Sequence, residues 1–149
     1  MLRIRRGRMN DAELIIDFQI RLAKETEGMR LNKETVSKGV RAVLRDKAKG
    51  EYFMAEKNGE VVGMMLTIPE WSDWRNGTAI WIHSLYVRPE WRGRGAFKKM
   101  YLYLKKKVGL SAGLVGLRLY VERKNKTAHK VYKRLGMNSD HYLMYEWLK

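Results

Sequence analysis

Leu85-Tyr86-Val87-Arg88-Pro89-Glu90-Trp91-Arg92-Gly93-Arg94-Gly95-Ala96-Phe97 is the stretch on which the reading of this chain turns. Its first residues are strand-like. After Gly95, the apolar positions Phe97, Met100, Tyr101, Leu104 and Val108 recur at three- and four-residue spacing, the stripe of an amphipathic helix. A strand that passes through two glycines into a helix gathers first-turn N–H groups and the positive end of the helix dipole at one point, which favours an anion. Gly93 and Gly95 let backbone approach a phosphate closely, and Arg92 and Arg94 add formal charge. Taken alone, Arg92–Phe97 fits a phosphate turn and a basic, solvated turn equally well.

Two common phosphate motifs are excluded. The dinucleotide pattern G-x-G-x-x-G is incomplete, because Lys98 stands at the third glycine position, and there is no G-x-x-x-x-G-K followed by Ser or Thr.

Working outward, Leu2–Arg5 alternates as a short strand, and Asn10 or Asp11 caps a helix with Leu14, Ile15, Phe18 and Leu22 on one stripe, broken at Gly28. A second helix begins near Asn32 and keeps Val36, Val40, Val43 and Leu44 together, ending around Lys47–Gly50. Asn58-Gly59 tolerates positive φ at both central positions of a two-residue turn, so Glu51–Lys57 and Glu60–Thr67 are expected as a hairpin. A tryptophan-rich loop, Pro69–Gly77, precedes a long strand from about Thr78 to Val87. Leu114–Val121 is a further strand, Asn125 caps a short helix closed by Gly136, and Tyr142–Leu148 is expected as a last strand. The order β-α-α-β-β-β-α-β-α-β implies a mixed sheet with helices on both faces.

A chain of 149 residues, 45% hydrophobic and 32% charged, suits one globular domain over 1–149. The absence of cysteine excludes disulfides, thiolate metal sites and a cysteine nucleophile. No apolar run reaches the roughly 18 to 20 residues that span a bilayer, and the N-terminus lacks a signal peptide's apolar region, so no membrane partner and a cytoplasmic location are expected. The net charge of +15 attracts polyanions, whether nucleic acid or a polyphosphorylated cofactor.

With its flanks, Leu85–Phe97 resembles motif A of the GNAT superfamily of N-acetyltransferases, whose core reads Gln or Arg, two residues, Gly, one residue, then Gly or Ala. Arg92 and Gly95 match, while Phe97 stands where the family usually has a small residue. Leu119–Ala128 with Val131–Met137 resembles motif B, at the expected distance downstream. The resemblance covers roughly Leu2 to the C-terminus. It implies a mixed, mostly antiparallel α/β (α+β) sheet of six to seven strands with about four helices on both faces.

The resemblance also implies acetyl-CoA as cosubstrate, without a metal, and direct transfer of its acetyl group to a primary amine. The backbone of Leu85, Tyr86 and Val87 would hold the pantetheine arm, and the amides of Arg92, Gly93, Arg94, Gly95, Ala96 and Phe97 the pyrophosphate. Asn125 would meet the pantetheine or acetyl end, and Lys124, Lys126 and Lys130 are candidates for the 3′-phosphate. Tyr132 matches the family's general acid. His83 lies where a base is often a glutamate; Glu122 and an ordered water are the other candidates, since a neutral imidazole also accepts a proton near neutral pH.

In this fold the acceptor pocket is usually shaped by the loop between the first two helices and the loop before the long strand. Glu25, Glu27, Glu70 and Asp73 place acid there, and Trp71 and Trp74 offer aromatic faces to a cation. The alternatives are a basic nucleic-acid-binding module, with the tryptophans as stacking platforms, and a non-catalytic CoA-sensing domain. Two motifs in order favour the enzyme. Pairing of Tyr142–Trp147 across a homodimer is a further expectation.

Overall fold

The computed structural model describes residues 1–149, which divide into two compact units, Met1–Leu119 and Tyr120–Lys149. The first unit holds β1 (Leu2–Arg6), α1 (Ala12–Glu27), α2 (Lys33–Arg45), β2 (Glu51–Lys57), β3 (Glu60–Ser72), β4 (Gly77–Val87), α3 (Ala96–Gly109) and β5 (Leu114–Leu119). The strands form one sheet in chain order, antiparallel from β1 to β4 and parallel between β4 and β5. The only parallel pair is the one joined through a helix, as a crossover connection requires.

Alternation along the strands sends side chains to two helical layers. Tyr52, Met54, Met64, Leu66 and Tyr86 face α1 and α2, where Ile15, Ile16, Phe18 and Val40 complete the core. On the other face Phe53 lies 5.5 Å, centroid to centroid, from Tyr103 of α3, whose Met100 and Leu104 are also buried. Asn32 caps α2 by accepting from the Thr35 amide at 2.9 Å, and the β2–β3 turn places Asn58 and Gly59 at φ 52° and 82°. Ahead of α1, Met9–Asp11 forms a short 3₁₀ turn. There Asp11 turns its carboxylate to the Arg8 amide and to Arg5, at 2.7 and 2.8 Å.

The sheet has five strands, not six to seven. Tyr142–Leu148 is not a strand; alternation reports propensity, whereas a strand exists only with a paired edge, and this segment has none. β5 stops at Leu119, two residues short of expectation. β3, by contrast, runs on through Pro69 to Ser72, leaving only a short turn before β4. Proline is accommodated because the β2 ladder ends at Thr67, so Pro69 lies on a free edge on that side.

In the second unit, α4 spans Lys126–Arg134, and Asn125 caps it by accepting from the Ala128 amide at 3.0 Å. Gly136 follows at φ 83°. Tyr142, Tyr145, Trp147 and Leu148 are largely exposed.

Candidate functional site

The site is built where β4 loses a neighbour. β4 pairs with β5 only from Thr78 to Ile82, while it stays on β3 as far as Val87. Against β3, Leu66 faces Ser84 and Thr67 faces Ile82, so His83 is the extra residue of a bulge. The bulge lies at the level where β5 ends. Beyond it, the Arg88 amide bonds to Val62 on β3 at 2.9 Å, and strict alternation turns the polar groups of Leu85 and Val87 to the opposite side. That side is the outer edge of β4, extended backbone at Leu85 and Val87 on which the Val87 carbonyl already accepts from Arg92 Nε.

At the end of this edge the chain makes a short 3₁₀ turn at Pro89–Trp91 and enters α3 through Gly93 and Gly95, at φ 71° and 81°. The first α3 bond runs from the Lys99 amide to the Gly95 carbonyl at 3.0 Å, so the amides of Gly95, Ala96 and Lys98 are first-turn donors ahead of it. No heavy atom lies within 4 Å of a Cβ built on either glycine, so both glycines border open space in that direction. An extended edge followed by such a nest fits a ligand with amide groups along an arm and phosphates at its end.

The side chains are deployed less uniformly than the backbone. Tyr86 is buried, its ring centroid 4.9 Å from Phe18. Arg92 folds back rather than reaching forward: Nε donates to the Val87 carbonyl at 2.9 Å, NH2 meets Glu25 at 2.5 Å, and the guanidinium lies 5.6 Å above the Tyr86 ring. Glu25 also accepts from the Tyr86 hydroxyl at 3.4 Å. Burial, then the Glu25 charge, raises the Tyr86 hydroxyl above its ordinary range. Arg94 stacks over Trp91 at 5.3 Å; Ala96 is buried, and Phe97 packs 6.2 Å from Tyr101.

His83 is exposed, with Nδ1 3.4 Å from the Ser84 hydroxyl. Among the acidic candidates, Glu27 is exposed, Asp73 accepts from the Trp74 amide at 2.9 Å, and Glu70 bonds to Trp81 Nε1 and, at 2.8 Å, to Arg118. Trp71 and Trp74 stand in solvent, 64% and 88% exposed, with their ring faces accessible. The Arg92–Glu25 pair and the Trp81–Glu70–Arg118 group were not foreseen from sequence. Each joins residues that are distant along the chain, and no spacing announces them.

In the second unit, Tyr132 is half-buried on α4 and burial raises its hydroxyl above the usual value, keeping it protonated at neutral pH. Lys124, Lys126 and Lys130 are exposed. The Glu122 carboxylate accepts from the Lys124 amide at 2.9 Å.

The family model described as the acetyltransferase (GNAT) family matches residues 17–137. The chain belongs to this family. A crystal structure of a possible acetyltransferase from Clostridium difficile 630 is 41% identical, with a TM-score of 0.93 over 100% of this chain and 98% of that one. The thialysine N-epsilon-acetyltransferase of Bos taurus is 41% identical over 78 residues, 51% of this chain and 44% of the bovine protein. The match therefore spans under half the length of that curated relative. AAC(6')-Iy, solved with the bisubstrate analog CoA-S-monomethyl-acetylneamine, shares the GNAT fold at a TM-score of 0.80 and 15% identity, over 100% of this chain and 99% of that one. The family is one of acetyltransferases. No helix in this chain is long and apolar enough to cross a membrane.

Proposed function

We propose that this protein is a single-domain acetyl-CoA-dependent N-acetyltransferase that passes the acetyl group directly to a primary amine within a ternary complex. The observation that carries the reading is the edge of β4 that β5 leaves uncovered beyond Ile82, leading into the glycine turn. The edge suits the two amides of a pantetheine arm, and the first-turn amides with Arg94 suit the pyrophosphate. A structural neighbour solved with a CoA-based analog supports the same assignment.

In the transfer the amine nitrogen forms a bond to the acetyl carbon as the carbon–sulfur bond breaks. Two protons must move: one leaves the amine, and one reaches the departing sulfur. His83 is the proposed acceptor of the first, standing at the bulge where β4 and β5 part. Tyr132 is the proposed donor of the second, by its match to motif B and its protonated hydroxyl. Asn125 would contact the pantetheine or acetyl end, a role that rests on the motif. Without cysteine in the chain, a thiol-borne acetyl-enzyme has no residue to form on.

The acceptor approaches the exposed Glu27, Trp71 and Trp74 in this reading, because Glu25 and Glu70 already hold arginines. The bovine relative is named for acetylating the Nε of thialysine, which makes amino-acid side-chain amines the first acceptors to screen. Titration calorimetry with acetyl-CoA, followed by a thiol-release screen of amino acids, polyamines, aminoglycosides and peptide amines, tests the proposal. Absence of any binding heat with acetyl-CoA would refute it. A homodimer formed through the exposed Tyr142–Trp147 segment remains part of the reading, and sedimentation of the protein in an analytical ultracentrifuge decides it.

A further inference from the structure

Glu25 sits in the last full turn of α1, three residues before Gly28 ends the helix. From there its carboxylate reaches two residues of the β4–α3 segment, Arg92 through one oxygen and the Tyr86 hydroxyl through the other. Its helical neighbour Arg21 pairs with Asp17 at 2.8 Å and also interacts with the Tyr86 hydroxyl. Arg92 in turn is fixed at three points: the Glu25 carboxylate, the Val87 carbonyl and the Tyr86 ring face. A free arginine at this position has four rotatable bonds and a phosphate-seeking head; this one is braced across the start of the glycine turn.

We infer that Glu25 is a positioning residue for the cofactor turn, holding Arg92 against the Val87 carbonyl so that the Gly93–Lys98 backbone is set for phosphate before any ligand arrives. The inference rests on the acetyl-CoA reading above and gives Glu25 a role distinct from acceptor binding. The physical reason is preorganisation: an amide nest binds anion well only if its N–H groups already converge, and a brace at its first residue removes the ordering cost. The same carboxylate ties α1, and with it the start of the 28–32 loop, to the turn.

The test is calorimetric titration of CoA into wild type, Glu25→Ala, Arg92→Ala and the double variant, with melting curves of each ligand-free protein. Each single substitution is expected to weaken CoA binding about fivefold, the scale of a partly exposed ion pair. The double variant should bind no more weakly than Arg92→Ala alone, since Glu25 acts through Arg92. The acceptor KM of Glu25→Ala should stay at the wild-type value. Glu25→Gln, which keeps an oxygen for the guanidinium, should fall between wild type and Ala, and serves if Glu25→Ala does not fold. An unchanged CoA affinity in both Glu25 variants, additive losses in the double variant, or a rise confined to the acceptor KM would overturn the inference alone. Wild type that binds no CoA would overturn the cofactor reading as well.

Discussion

The Arg92 guanidinium donates to the carbonyl of Val87, five residues back along the chain, at 2.9 Å. The arginine that opens the glycine turn thus caps the last carbonyl of the β4 edge instead of extending toward a ligand. In the proposed acetyl-CoA complex, recognition at the turn would fall chiefly to backbone.

Gly95 has φ 81° with no atom near a built Cβ, so Gly95→Ala meets no clash but forces a left-handed alanine. The expected destabilisation is about 1 kcal/mol, the ordinary cost of that conformation. Relief of that strain would move the backbone that carries the first-turn amides. Acetyl-CoA affinity should fall well beyond the stability change, and paired denaturant melts and calorimetry would show it.

Tyr132→Phe should keep acetyl-CoA affinity and lose about a hundredfold or more in kcat, the usual scale of a general acid. Burial raises the hydroxyl above its ordinary 10.0, so the protonated, donating form persists through neutral and mildly alkaline pH. The wild-type kcat profile should accordingly show no loss assignable to this group through neutral and mildly alkaline pH. A variant retaining full turnover would remove Tyr132 from the chemistry.

His83→Ala distinguishes an imidazole base from a water relay. If the bulge residue takes the proton, kcat drops about a hundredfold while acetyl-CoA affinity is unchanged. Turnover within about twofold of wild type would assign the step to water or to another group. Steady-state kinetics with acceptor and acetyl-CoA each varied separates the two effects.

Away from the site, Asp11 joins the Arg5 guanidinium at 2.8 Å, and Arg5 also pairs with Glu56 at 2.7 Å. The hydrogen bond from Arg5 is the main cause holding the Asp11 carboxyl below its usual 3.8. A lowered carboxyl adds stability above the unfolded value and loses it as pH falls through the folded one. Asp11→Asn should cost about 1 kcal/mol at pH 7, and the difference from wild type should shrink once the pH drops below the unfolded value. Urea melts of both proteins at neutral and acidic pH measure it.

What the sequence determined by itself was local. The Asn32 and Asn125 caps, the Asn58-Gly59 turn, the stripes of the helices and the glycine turn into α3 depend on neighbours within a few residues, and each is where the residues indicate. Tertiary structure decided what depends on distant partners. Tyr142–Leu148 has the composition of a strand but no edge to pair with, while Pro69 lies inside a strand because the β2 ladder ends at Thr67. The bulge at His83 exists only as a register shift against β3. Arg92 reads as a phosphate ligand in sequence, yet a carboxylate 67 residues away and the strand before it take its donors. Strand pairing and ion pairs are relations between segments, and a one-dimensional pattern specifies the groups without specifying which of them meet.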